Sequence, residues 1–199
     1  MSADPTITTE LWLIRHGETE WSRDGRHTST TDLPLTDKGA EVARSLGPRL
    51  AGVEFAQVFT SPRTRARVTA ELAGFPDAAV DDDLVEWAYG DYEGITTAEI
   101  RETVPGWTVW SHPVPGGEDA QQVSERLDRV IARARANDGR TLVFAHGHSL
   151  RALTARWLEQ SVTDGRYYRL DTSTLSVLGY ERETPVLLRW NSAVALVGP

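Results

Sequence analysis

Two short apolar runs in this chain end in the same way. Leu11-Trp12-Leu13-Ile14 leads straight into Arg15-His16-Gly17, and Leu142-Val143-Phe144-Ala145 leads into His146-Gly147-His148. Each run has the length of a buried strand. Within a sheet, an arginine or a histidine is costly to bury without partners. At the carboxyl ends of parallel strands, the same residues reach the crevice where open α/β sheets bind ligands. Between these runs the pattern changes period. Ala40, Val42, Ala43, Leu46 and Leu50 follow one helical face and predict a helix over 37–50, with Thr36 as its cap. Val53–Thr60 predicts a second strand. Ser61-Pro62 then predicts a helix running to about Ala73, with a hydroxyl cap and proline at the first helical position. Ala78–Val80 predicts a short third strand. Glu118–Asn137 is the longest helical pattern and stops at Asp138-Gly139. A further helix is predicted over Ser149–Glu159, and two short edge strands over Leu170–Trp190.

Two stretches carry no long period. Thr19–Leu35 reads as a loop rich in Thr, Gly, Arg and Asp, and loops of that length in compact domains usually have a function. Asp81–Gly117 is rich in Asp, Gly, Pro and aromatic residues, with one short helix opened by the capping box Thr96-x-x-Glu99. No repeat or linker interrupts the chain, so the reading is one domain over 1–199 with its core at about 11–190. Strand–helix alternation with right-handed crossovers predicts an α/β fold of three layers, a mostly parallel central sheet flanked by helices.

Composition narrows the chemistry. The 199 residues are 40% hydrophobic, enough for one full core. A formal net charge of −8 argues against a nucleic-acid partner. No run is long and apolar enough to span a bilayer, and Met1–Thr9 is too polar for a secretory signal, so the expectation is a cytoplasmic protein without a membrane partner. The absence of cysteine removes thiolate nucleophiles and cysteine-held metals. An acidic protein can still bind an anion where arginines converge. The predicted rim of the sheet collects Arg15, His16, His146, Gly147 and the helix that begins at Ser61 and carries Arg65. Arginines beside a helix N-terminus suit a phosphoryl group, whose oxygens match the guanidinium fork. His148 reads as a solvent-facing helix-start residue, with a third member of the site as the alternative; Arg63 and Arg67 read as exposed, and Glu93 as a structural partner that could also compete with Glu86 for the acid role. Trp12, Trp157 and Trp190 read as packing residues, and so do Trp87, Trp107 and Trp110, whose loop location leaves a lid as the alternative.

Taken in order, Arg15-His16-Gly17-Glu18-Thr19-x-Trp21, Ser61-Pro62-x-x-Arg65-Ala66, Glu86-x-x-Tyr89-Gly90-x-x-Glu93-Gly94 and His146-Gly147 resemble the histidine phosphatase superfamily, also called phosphoglycerate mutase-like. Within it, the Glu86–Gly94 block and His146-Gly147-His148 resemble a phosphatase branch containing sedoheptulose bisphosphatases and actinobacterial acid phosphatases. The resemblance implies a phosphoglycerate mutase-like fold and a phosphohistidine formed on His16, with Arg15, Arg65 and His146 holding the phosphoryl oxygens. It implies that Glu86 is the general acid and then the base, with no cofactor and no metal, since the arginines supply the positive charge. Ser22, Thr28, Tyr89 and Gly147 are the implied substrate contacts, and the substrate is a small phosphorylated metabolite, a sugar phosphate or bisphosphate, or a broad acid-phosphatase range. Ser22 departs from the usual asparagine, and Gly25-Arg26-His27-Thr28 departs from the commoner Gly-Arg-x-Gln-Gly.

Three other readings stand beside this one. A mutase would carry a lysine soon after the Glu-Gly motif and an arginine pair in an insertion, whereas here Ile95-Thr96-Thr97 follows Gly94. A metal site built from His16, His146 and His148 leaves Arg15 unexplained. A non-catalytic module binding phosphorylated ligands leaves the intact His16, Arg65, Glu86 and His146 without a role. An edge strand near the C-terminus would allow a homodimer by sheet extension.

Overall fold

The computed structural model describes residues 9–193. Its elements run β1 (Glu10–Arg15), α1 (Glu20–Asp24), α2 (Asp37–Arg44), α3 (Gly47–Leu50), β2 (Gln57–Thr60), α4 (Thr64–Leu72) and β3 (Ala79–Val80). They continue with α5 (Thr97–Thr103), α6 (Ala120–Arg135), β4 (Arg140–Ala145), α7 (Gly147–Trp157), β5 (Leu175–Glu181) and β6 (Thr184–Ser192). The strands form one sheet in the order β3-β2-β4-β1-β5-β6. β3, β2, β4 and β1 are parallel; β5 and β6 return antiparallel, so the sheet is mixed.

The unbroken apolar run of β1 follows from its place in the sheet. It pairs with β4 on one edge and β5 on the other, and it is covered on both faces. Its side chains alternate between two clusters. Leu11 and Leu13 join Val143, Val123, Leu127 and Leu153 on the face covered by α6 and α7. Trp12 and Ile14 join Phe144, Leu46, Leu50 and Ala70 on the face covered by α3 and α4. This alternation produces the three layers.

Several boundaries differ from the sequence expectation, each for a local reason. The helix expected over 37–50 breaks at Ser45-Leu46, and Pro48 restarts it in the first turn of α3, where its missing N–H costs nothing. The second strand is shorter than expected, limited to Gln57–Thr60. The long loop after β1 contains α1, fixed by a capping box between Thr19 and Ser22 and ended by Gly25 at φ 74°. Five residues are too few to show a helical period. α4 begins at Thr64 rather than near Ser61, because the Asp32 carboxylate accepts from Thr64 N at 2.9 Å and Oγ1 at 2.6 Å and so replaces the expected serine cap. α7 begins at Gly147, earlier than Ser149, so Gly147 and His148 form its first turn. Among the described residues, no helix is long and apolar enough to cross a membrane.

Candidate active site

The repeated strand-then-histidine pattern becomes one place because β1 and β4 are parallel neighbours in matched register, Arg15 opposite Ala145. The His16 N–H donates to the Ala145 carbonyl at 2.9 Å, and the two imidazoles meet edge to face with centroids 5.2 Å apart. His16 Nδ1–H donates to the Gly17 carbonyl at 2.7 Å, which leaves Nε2 with its lone pair. Burial first, then the charges of Arg65 and Arg15, hold the His16 pKa well below the ordinary histidine value, so the ring is neutral at physiological pH. His146 is neutral for the same reasons, burial before Arg65. Its Nδ1 accepts from Arg65 Nε at 3.2 Å, so its Nε2–H donates to Ser61 Oγ at 2.7 Å. Ser61, expected as a helix cap, is instead this histidine's partner.

Two arginines, Arg65 fully buried and Arg15 partly so, flank the pair without an ion-pair partner among the described residues. Arg15 gives Nη1–H to the Leu170 carbonyl at 2.6 Å, and its buried Nε has no partner. A Cβ at position 147 would lie 3.3 Å from Arg15 Cζ, so a larger residue there would make the guanidinium shift by a few tenths of an ångström from the start of α7. Arg65 is fully buried; its guanidinium donates to the carbonyls of Thr28, Ser29 and Thr31 and to His146. Arg65 and His146 therefore stand behind His16, whereas Arg15, His16, Glu86 and Gly147 line an open cleft of about 250 Å³. Glu93 is a structural partner: it accepts from Ser29 N, Ser29 Oγ and Thr31 N, and so fixes the loop whose carbonyls orient Arg65. Burial would raise the Glu93 pKa, but those hydrogen bonds outweigh it and leave it low.

Glu86 reaches the cleft from the segment before α5. Its carboxylate accepts from Trp87 N, His148 N and Ser149 N, the last two in the first turn of α7. That turn is a natural anion site, and the chain's own carboxylate sits in it. Ser22 and Thr28 also line the cleft, but their hydroxyl hydrogens go to the carbonyls of Thr19 and Arg26. Tyr89 is fully buried at its ring, and its hydroxyl meets His148 Nδ1 at 2.5 Å.

Pattern reasoning missed the far wall. His148 does not face solvent: it lines the cleft between Tyr89 and Trp110, with ring centroids at 5.8 and 5.2 Å. His27 packs on Tyr89 at 4.6 Å, and burial lowers its pKa to about 4. Arg151 stands one helical turn beyond Gly147 and stacks over Trp110 at 4.8 Å. The signal that would have found Arg151 is its spacing, three and four residues after His148 and Gly147 on one helix face. Arg67 is exposed as expected, while Arg63 is partly buried. Ser173 was also missed; it holds φ 53° and donates its N–H to the Arg15 carbonyl at 3.0 Å, closing the end of β1. His16, His146 and His148 do not converge as chelators, and among the described residues no three His, Cys, Asp or Glu side chains group as a metal site would require.

The arrangement is a neutral, oriented imidazole beside two arginines, with a carboxylate across the cleft. The family model for the histidine phosphatase superfamily, branch 1, matches residues 11–193. The chain belongs to that superfamily. This histidine phosphatase is 42% identical over 175 residues to an acid phosphatase of Mycobacterium tuberculosis, covering 86% of each chain. It is 39% identical over 186 residues to a sedoheptulose 1,7-bisphosphatase of Saccharomyces cerevisiae, covering 77% of this chain and 69% of that one. A solved structure of a Mycobacterium tuberculosis open reading frame superposes with a TM-score of 0.89 at 39% identity, covering 92% of this chain and 96% of the other. The resemblance read from four motifs and the expected α/β fold both hold.

Proposed function

We propose that this histidine phosphatase hydrolyses the phosphomonoester of a small metabolite, a sugar phosphate or bisphosphate, through a phosphohistidine on His16. The observation that carries the reading is the pinned, neutral His16 beside Arg15, whose buried Nε has no protein partner. His16 Nε2 attacks phosphorus, the bond to the leaving oxygen breaks, and Glu86 in its protonated form gives that oxygen its proton. Glu86, now a carboxylate, takes a proton from water as the water attacks the phosphohistidine, and the P–N bond breaks to release inorganic phosphate. Arg15 supplies positive charge against the transferring oxygens from the cleft wall, and Arg65 adds its charge from behind His16. His146, implied as a further holder of the phosphoryl oxygens, stands behind His16 and gives its Nε2–H to Ser61.

Hydrolysis is favoured over mutase chemistry by the missing lysine after Gly94 and the missing arginine pair, features that would retain a bisphosphate for a second transfer. The metabolite class is supported by the names of the two relatives, with a broad acid-phosphatase range as the close second. A cytoplasmic location goes with that class, because phosphorylated metabolites do not cross membranes unaided. The test is phosphate release, with EDTA present, from a panel of sugar phosphates and bisphosphates, 3-phosphoglycerate, phosphopeptides and an aryl phosphate. His16→Ala should abolish turnover and the acid-labile phosphoprotein. Glu86→Gln should slow sugar phosphates more than the aryl phosphate, whose leaving group needs no proton. Equal rates for Glu86→Gln and the unaltered protein on sugar phosphates would remove Glu86 from the acid role.

A further inference from the structure

His16 stands at the point where its strand ends. Its N–H makes the last bond toward β4, and the chain then leaves the sheet through Gly17, which has no side chain to restrict its backbone. Glycine is required there by close packing. A Cβ at position 17 would lie 2.7 Å from the Gly39 carbonyl oxygen, and a Cβ at position 39 would lie 2.2 Å from that of Glu18. The segment after His16 is therefore pressed against the first turn of α2 but is free in its own dihedrals. A hydrogen bond from α4 removes that freedom. The buried Gly17 N–H donates to Thr69 Oγ1 at 2.9 Å, across 52 residues of sequence. The Thr69 hydroxyl hydrogen goes to the Arg65 carbonyl, one helical turn back, at 2.6 Å. Thr69 is fully buried and does not line the cleft. One hydroxyl thus ties the residue after His16 to the residue whose guanidinium stands behind that histidine.

From this geometry we infer that Thr69 is a positioning residue for the transfer step. It touches no substrate. It holds the peptide between His16 and Gly17 in place relative to Arg65, and through Gly17 it fixes the carbonyl that accepts His16 Nδ1–H. The inference rests on the reading of His16 as nucleophile. A nucleophile about 1 Å out of place can cost about 10²-fold in rate, so the bond matters to the chemistry as well as to the fold.

The experiment compares two threonines. Thr69→Val keeps the branched shape and leaves the Gly17 N–H without an acceptor. With an aryl phosphate at saturation, its single-turnover rate of phosphohistidine formation should fall about 10²-fold. Inorganic phosphate should bind it within about twofold of the unaltered protein, because both arginines keep their charge. The nitrogen-15 spectrum of the His16 ring should change from one Nδ1–H tautomer to a mixture of two, which a loss of stability alone does not produce. Thr69→Ser keeps the hydroxyl and should restore the rate to within about threefold, with the single tautomer. Thr154 is the matched control. It too is buried in a helix and gives its hydroxyl hydrogen to the carbonyl four residues back, Leu150, at 2.8 Å. Among the described residues no N–H from another segment reaches it, so Thr154→Val should phosphorylate within about twofold of the unaltered rate. An unaltered rate in Thr69→Val overturns the proposal, as does an equal loss in Thr154→Val or a Thr69→Ser protein as slow as Thr69→Val. If Thr69→Val does not fold, the unaltered protein still decides. Its Gly17 amide should exchange with solvent as slowly as those of β1, and exchange as fast as an exposed loop amide overturns the proposal. If even the unaltered protein forms no phosphohistidine, the hydrolase reading falls, and the tautomer spectra alone uphold or overturn the role of Thr69.

Discussion

Two groups of arginines divide this molecule. On α6, Arg126, Arg129 and Arg133 are tied to carboxylates: Arg126 to Glu118 at 2.7 Å, Arg129 to Asp83 at 2.5 Å, and Arg133 to both Asp81 and Asp83. Around the cleft, Arg15, Arg65 and Arg151 are tied to backbone carbonyls. A carboxylate orients a guanidinium and cancels its charge; a carbonyl orients it and leaves the charge in place. The α6 group therefore serves the fold. It anchors the 81–88 segment, with Arg126 Nη1 donating to the carbonyls of Asp83 and Val85, and that segment carries Glu86 to the cleft. The cleft group holds positive charge in reserve for a dianion, with Glu86 as the nearest opposite charge and no ion pair to it among the described residues. Burial lowers the pKa of all three below the ordinary arginine value. Locally destabilised charge of this kind is expected where a protein binds an anion.

The comparison can be broken by substitution, beginning with the largest effect. Arg126→Met should cost about 3–5 kcal/mol of stability, because it strands a poorly exposed Glu118 carboxylate; urea unfolding measures it. Arg15→Gln should lower kcat about 10²–10³-fold in phosphate-release assays, the loss typical of one donor to a reacting oxyanion. Its unfolding midpoint should move much less than that of Arg126→Met, since the protein bond it loses is to a single carbonyl. If Arg15→Gln instead destabilised as strongly as Arg126→Met, the division into binding and structural arginines would collapse.

A pH profile sharpens the same contrast. His27 titrates near 4 when folded and near 6.5 when unfolded, so the unfolded chain binds the extra proton in that window. Its stabilising contribution is complete above about pH 6.5 and is lost as pH falls toward 4, with a slope of up to about 1.4 kcal/mol per pH unit. His16, His146 and His148 are lowered as well and act in the same direction. Urea midpoints at pH 7 and pH 5 should therefore differ, and His27→Gln should narrow the gap. The smallest effect belongs to Arg129→Ala. Arg129 is mostly exposed and Arg133 still holds Asp83, so a thermal melt should barely move.

Much of the fold was readable because its signals are local. The apolar runs of β1 and β4, the capping box at Thr96 and the long amphipathic pattern of α6 lie within a few residues of what they determine. The site was readable in outline for a different reason. Two strands that both end in histidine must present both rings together once they pair in parallel register, and His16 and His146 do so. The details were not readable, because partners far apart in sequence decide them. Asp32 caps α4 and thereby frees Ser61 for His146, and Glu86 takes the N–H groups of His148 and Ser149.

The sequence by itself determined the elements, the motif order and the residue types that handle a phosphoryl group, since period, caps and side-chain chemistry are properties of short stretches. Only the tertiary structure decided which arginines keep their charge. Whether a guanidinium meets a carboxylate or a carbonyl depends on chain segments tens of residues away, brought together by the packing of α6 and α7 on the sheet.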